Sequence, residues 1–231
     1  MNRLLLLLVL LLPFSASSAA LGKGQKDLAA ILTHESHVVT AEGVSKDLRY
    51  QERFMRKNGH VWAERIVPES VKADVEKHGA KEGHKHDFNF NLAAKHIVKD
   101  AKGIPTISFV NRHDKVIVAV GKEEYQSIGF DGSWESAYYL VNPALVQKLA
   151  LSRTPSPVAN ARWYEKNGKD DFFRVLWAED LELPLVIESG TRNGVRHSKV
   201  TAKIVTLPQT AALPWANLQN FEHKDYNDLL D

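Results

Sequence analysis

The chain has 231 residues, 44% of them hydrophobic and 25% charged, with a formal net charge of +2 and no cysteine. Those proportions are those of a folded protein and exclude a disordered, collagen-like or coiled-coil chain. The missing cysteines exclude disulfides, thiol catalysis and thiolate-held zinc or iron–sulfur sites. The near-balanced charge argues against nucleic acid, which calls for a basic stripe.

The chain opens with Asn2 and Arg3, then an apolar run from Leu4 to Leu12 broken by Pro13, then small residues from Ser15 to Ala20. This is the layout of a secretory signal peptide cut near Ala20. The run is shorter than the roughly 20 apolar residues a membrane span needs. No cysteine follows that could carry a lipid anchor. The expectation is a periplasmic or secreted protein that does not span the membrane after cleavage. Residues 21–231 would form a single domain with a tail from about residue 208.

In chain order, Lys26 to His34 repeats Leu28, Ile31 and Leu32 at helical spacing, which predicts a short helix. A hairpin follows. Leu48 to Lys57 alternates around Tyr50 and Phe54, Val61 to Val67 carries Trp62 and Ile66 on one face, and Asn58-Gly59 supplies the turn. Val71 to His78, opened by Pro68, Glu69 and Ser70, predicts a polar helix. Asn91 to Ala101 aligns Leu92, Ala93, His96 and Ile97 with Gly103 as a stop, which predicts another. Ile104 to Val110 and Lys115 to Val120 read as a strand pair. Asp131-Gly132-Ser133 reads as a turn that caps a helix, and Trp134 to Leu151, interrupted by Pro143, as two helical pieces. Residues 161–207, punctuated by Asn167-Gly168 and Asn193-Gly194, read as a four-stranded antiparallel meander. The polar tail, anchored by Trp215, Phe221 and Tyr226, is expected to cover a sheet edge. The order suits an α+β fold, with helices on one face of a curved antiparallel sheet.

Two sets of side chains could carry function. His78, His84, His86 and His96 could hold zinc or another divalent transition metal through imidazole, helped by carboxylate. The plainer reading of that stretch is a solvated polar loop. Tyr50, Phe54, Trp62, Phe173, Val175 and Trp177 alternate along strands. They are either core or the lining of a pocket for an apolar ligand. No nucleophile elbow, zincin helix, phosphate loop or dinucleotide fingerprint occurs, so the sequence leans away from an enzyme. A hydrolase with an unrecognised site stays open as an alternative.

The run Phe173-Arg174-Val175-Leu176-Trp177-Ala178, then Leu183-Pro184-Leu185-Val186-Ile187-Glu188-Ser189-Gly190, then Asn193-Gly194, resembles a segment of periplasmic lipoprotein-carrier proteins and the related sigma-factor regulators. The hairpin from Tyr50 to Val67 is similar to that family's early strands. The resemblance covers about a third of the mature chain. It implies an open half-barrel, a strongly curved antiparallel sheet with helices covering its concave face. It also implies an apolar or lipidated ligand or envelope protein as partner. The reading that follows is an exported protein that binds or chaperones such a partner. A metal-binding or metallo-accessory protein built on the histidine cluster is the alternative.

Overall fold

The computed structural model describes residues 26–68 and 88–229. The leader-like segment, the helix expected at Val71 to His78, and His78, His84 and His86 lie outside the described residues. The strands in chain order are β1 (Leu28–Val39), β2 (Ser45–Lys57), β3 (His60–Ile66), β4 (Ala94–Lys99), β5 (Pro105–Asn111), β6 (Val116–Ala119), β7 (Ala150–Leu151), β8 (Ala161–Asn167), β9 (Asp171–Ala178), β10 (Leu183–Thr191), β11 (Arg196–Val205) and β12 (Glu222–Asp225). All twelve belong to one sheet, ordered β12-β6-β5-β4-β3-β2-β1-β11-β10-β9-β8-β7. Two antiparallel meanders, β1 to β6 and β7 to β11, are therefore joined along β1 and β11. Among the described strands only β12 runs parallel to its neighbour, β6.

Two expectations need correction. The fold is mostly β rather than α+β, and the sheet is neither closed nor strongly curled. Its α-helices among the described residues are α1 (Trp134–Tyr139) and α2 (Pro143–Val146), six and four residues long. A deep concave face would leave a volume that such short helices could not fill, and interiors tolerate few voids.

The segments misread as helices are strands buried on both sides. On β1, Leu28, Ala30 and Leu32 enter the core on one face, while Ala29 enters a second core on the other. A strand buried on both faces reads as a continuous apolar run, which a helical template also fits. The same holds for Ala94 to Lys99, where Ala94 and Ile97 lie in opposite cores. Gly103, expected as a helix stop, instead sits at φ +82° in the β4–β5 turn. There Asp100 Oδ1 accepts from the backbone N–H groups of Lys102 and Ile104.

Most other local expectations among the described residues hold, although Ala150 and Leu151, expected at the end of a helical piece, form β7. Asn58 and Gly59 both adopt positive φ, 51° and 76°, in the two-residue loop between β2 and β3. Mirror-image turns of this kind match strand twist. β8 to β11 form the expected meander, with Asn167 in β8 itself and the turn just beyond it. Asp131 and Ser133 cap α1: Ser133 Oγ accepts from the Ser136 N–H at 3.1 Å. Leu140, at φ +63°, ends α1, and Asn142 followed by Pro143 starts α2.

The sheet has two covered faces. Trp134 and Tyr138 of α1 pack over Leu32, Phe54, Val61, Ile97, Phe109 and Val118; this is the helix face. On the other, the tail lays Leu213, Trp215, Leu218 and Phe221 over Ala29, Met55, Trp62, Ala94, Val110 and Ile117; this is the tail face. The tail then adds β12 to the β6 edge, so it covers that edge as expected.

The helix face is pinned by Arg56, which is fully buried. Its guanidinium donates to four carbonyl oxygens, those of Lys26, Tyr138, Glu182 and Leu181, at 2.6 to 3.2 Å. It also lies 4.4 Å from the centre of the Tyr138 ring. One side chain thus ties β2 to the start of β1, the end of α1 and the β9–β10 loop.

Candidate functional site

Beyond the reach of Trp134 and Tyr138, the short helix α1 leaves a gap against the sheet. A cavity of about 230 Å³ lies there, with Ser136, Ala137 and Leu140 above and β1 to β4, β10 and β11 below. Leu32, Phe54, Val61, Ile97, Ile187 and Val200 make most of its wall apolar. Their placement follows from strand alternation, since Leu32, Phe54 and Val200 occupy one face of three neighbouring strands.

Polar groups meet at one side of the cavity. His34 and Glu52 line it, with Nε2 and Oε2 2.8 Å apart, a close approach not aligned as a hydrogen bond. Burial pushes the Glu52 carboxyl up, but His34, Lys95 and Arg65 together outweigh it and hold the group below the usual carboxylate range. Tyr50 stacks on His34 with ring centres 4.5 Å apart, and Arg65 lies 4.7 Å over the other partner ring, that of Tyr50. Lys95, also lining the cavity, is exposed.

A second cavity, about 430 Å³, opens further along the same strands and includes Ser36, Ser189, Ser198 and Phe173. Each of those serines is two residues along its strand from a residue of the first cavity: His34, Ile187 and Val200. A period of two keeps them on the helix face. The two cavities therefore follow one another along β1, β10 and β11, over a floor of small side chains.

No family model and no curated protein matches the sequence. Solved structures are similar in fold alone. The chain is structurally similar to LolA superfamily proteins, at low identity. One is from Nitrosomonas europaea, with a TM-score of 0.35 and 9% identity over 81% of this chain and 90% of that one. Another is a domain named for outer membrane lipoprotein sorting from Vibrio parahaemolyticus, at 0.31 and 12%, over 79% and 87% of the two chains. The structure of PNGF-II matches over 88% of this chain with a TM-score of 0.38 and 10% identity, and this chain spans 33% of its length.

The residues singled out for an apolar ligand divide between the faces. Phe54 lines the first cavity, Tyr50 supports its polar side, and Phe173 lines the second cavity. Val175 and Trp177 lie on the helix face but are packed against Val146 of α2. Trp62 is on the opposite face, fully buried beneath the tail. Of the four histidines considered for a metal, only His96 is among the described residues. It lies beside His60, with Nδ1 of His60 and Nε2 of His96 2.9 Å apart and the Trp215 ring stacked 5.3 Å from His60. Among the described residues no three His, Asp or Glu side chains are placed to hold a metal ion. No helix there is long and apolar enough to cross a membrane.

His34, Glu52, Lys95 and Arg65 are absent from the sequence-based candidates. Alternation places His34 beside Leu32 on one face of a strand, but the apolar spacing of that segment also fits a helix.

Proposed function

We propose that the protein binds or chaperones an apolar chain, from a lipid or a lipidated partner, in the cell envelope. The observation that carries this reading is the cavity beneath α1, apolar over most of its wall and with the exposed Lys95 on its polar side. Ligand sites are concave and mainly apolar with a few placed polar groups, and this one has that make-up. The second cavity gives a chain longer than the first could hold a continuous path over the serine floor. The envelope compartment rests on the signal-like segment ending near Ala20.

The test is binding of a fluorescent fatty-acid analogue to the purified mature protein, with Ala63→Phe as the blocking variant. Ala63 lines the cavity, and the added ring would occupy its space. The expected result is saturable binding to the wild type and at least tenfold weaker binding to Ala63→Phe at an unchanged melting temperature. Equal binding by the two proteins would place the chain elsewhere.

A further inference from the structure

The polar side of the cavity carries unbalanced charge. Lys95 and Arg65 bring two fixed positive charges to the helix face, and Glu52 brings one negative charge. Glu52 lies closest to His34, and Lys95 and Arg65 act on it only at longer range. Arg65 sits opposite Glu52 in the β2–β3 register and is steadied over the Tyr50 ring. Lys99, another cation of β4, is already engaged over the Trp134 ring at 4.8 Å. Lys95 differs from it: it is exposed, and it lines the cavity together with the hydroxyl-bearing Ser136. The wall beyond is apolar, so a ligand here meets positive charge at the opening and hydrocarbon within.

We propose that the cavity takes an anionic amphiphile, with a phosphate or carboxylate head at Lys95 and Arg65 and its chain against Phe54, Ile97, Leu140 and Val200. This rests on the reading of the cavity as a chain-binding site and adds the class of head group. Glu52 offsets one of the two cations, so a hydroxyl-only head would leave one positive charge over, whereas an anion gains a charge-assisted hydrogen bond. Glu52 sets the selectivity from the other direction, because its carboxylate repels an anion that slides past Lys95 toward His34. The head therefore stays at the opening.

Two probes with one chain separate the head from the tail: lauroyl lysophosphatidic acid and monolauroylglycerol, titrated calorimetrically into the mature protein below their aggregation concentrations. The phosphate probe is expected to bind about tenfold tighter, the equivalent of one charge-assisted contact, and to weaken as salt rises. The double variant Lys95→Gln/Arg65→Gln should lose most of that preference, read as the ratio of the two probes' affinities in the same protein. Lys95→Arg should keep it. Inorganic phosphate at millimolar concentration should displace neither probe. Equal binding of the two probes by the wild type would overturn the anionic head and leave the cavity reading standing. Binding of neither would overturn both. Displacement by inorganic phosphate alone would show a free-anion site and overturn the amphiphile.

Discussion

His60 and His96 share a single hydrogen bond across neighbouring strands, Nδ1 to Nε2 at 2.9 Å, beneath the indole of Trp215. One ring nitrogen donates and the other accepts, so at least one imidazole in the pair is neutral. Burial lowers His60 below its usual value. Burial, reinforced by the charge of His60, lowers His96 to about 4. Among the described residues, the other charged groups on this part of the tail face are Glu64 and Arg53, 3.7 Å apart, with Trp62 Nε1 donating to Glu64 at 3.3 Å. Lys57, opposite His60 in register, is 3.8 Å from Asp27.

The tail is therefore expected to loosen in acid. In the unfolded chain His96 takes up its proton near pH 6.5, whereas the folded site resists it until about 4. Its contribution is fully present above pH 6.5 and is lost progressively as the pH falls toward 4. Between pH 7.5 and 5 the loss comes to about 2 kcal/mol, taken at about 1.4 kcal/mol per unit below 6.5. Urea midpoints of wild type and His96→Gln at the two pH values measure it. A pH dependence that survives the substitution unchanged would assign the acid sensitivity to other groups.

How much of this arrangement was legible in the sequence differs from residue to residue. Asn58-Gly59 announced its turn because only residues tolerant of positive φ serve there, and the geometry followed. Phe54 announced its face because Tyr50, Glu52 and Phe54 are covered while Gln51 and Arg53 between them are exposed. Leu28 to Leu32 and Ala94 to Ile97 did not, because cover by helix on one face and by tail on the other erased the alternation that marks a strand. The candidate site suffered from the same cause. His34 follows the first of those segments by two residues and Lys95 lies in the second, and a helical reading scatters residues that the sheet brings together.

Trp215 is the plate that closes the histidine pair from solvent, and its loss should release the tail without disturbing the distant meander. Trp215→Ala is expected to destabilise by about 2 kcal/mol, less than a fully buried tryptophan, because the ring is only partly covered. Hydrogen exchange should accelerate in residues 208–221 and stay unchanged in β8 to β10. Faster exchange throughout the chain would mean that the tail is integral to the whole sheet.

Arg56 tests how far carbonyl groups hold a buried cation, with the Tyr138 ring beside it and the Glu182 and Asp27 carboxylates acting on it as well. Burial lowers its affinity for the proton, yet its donors meet four backbone oxygens and its plane meets Tyr138. Replacing it with Met conserves much of the volume and takes that donor from all four oxygens, of which the Lys26 oxygen keeps the Tyr138 hydroxyl at 3.0 Å. The expected loss is about 3 kcal/mol or more, since unpaired buried acceptors keep their desolvation penalty. Arg56→Lys should recover only part of this, because an ammonium cannot reproduce the planar fork. Denaturant unfolding of both variants decides it, and a Met variant as stable as wild type would refute the clamp.

Two glycines offer a comparison in which backbone angle and steric room point in opposite directions. Gly59 has φ +76°, but a methyl group added there would meet only the Lys99 carbonyl oxygen at 3.6 Å. Gly190, in β10, has no such angle, yet an added Cβ would lie 2.6 Å from the Arg196 carbonyl oxygen and 3.1 Å from the Phe172 ring. Gly59→Ala should therefore cost about 1 kcal/mol, the penalty for left-handed backbone. Gly190→Ala must push β11 away from β10 or distort the strand, a change in the class of overpacking that costs about 1–3 kcal/mol. The displacement would act on Glu188, two residues away, which accepts from Arg174 at 2.7 Å and approaches His197 at 2.8 Å. Gly190→Ala is thus expected to be the more destabilising of the two, with faster exchange at the β10–β11 hydrogen bonds. The reverse order of unfolding midpoints would mean that the β10–β11 pair yields more easily than the Asn58-Gly59 turn.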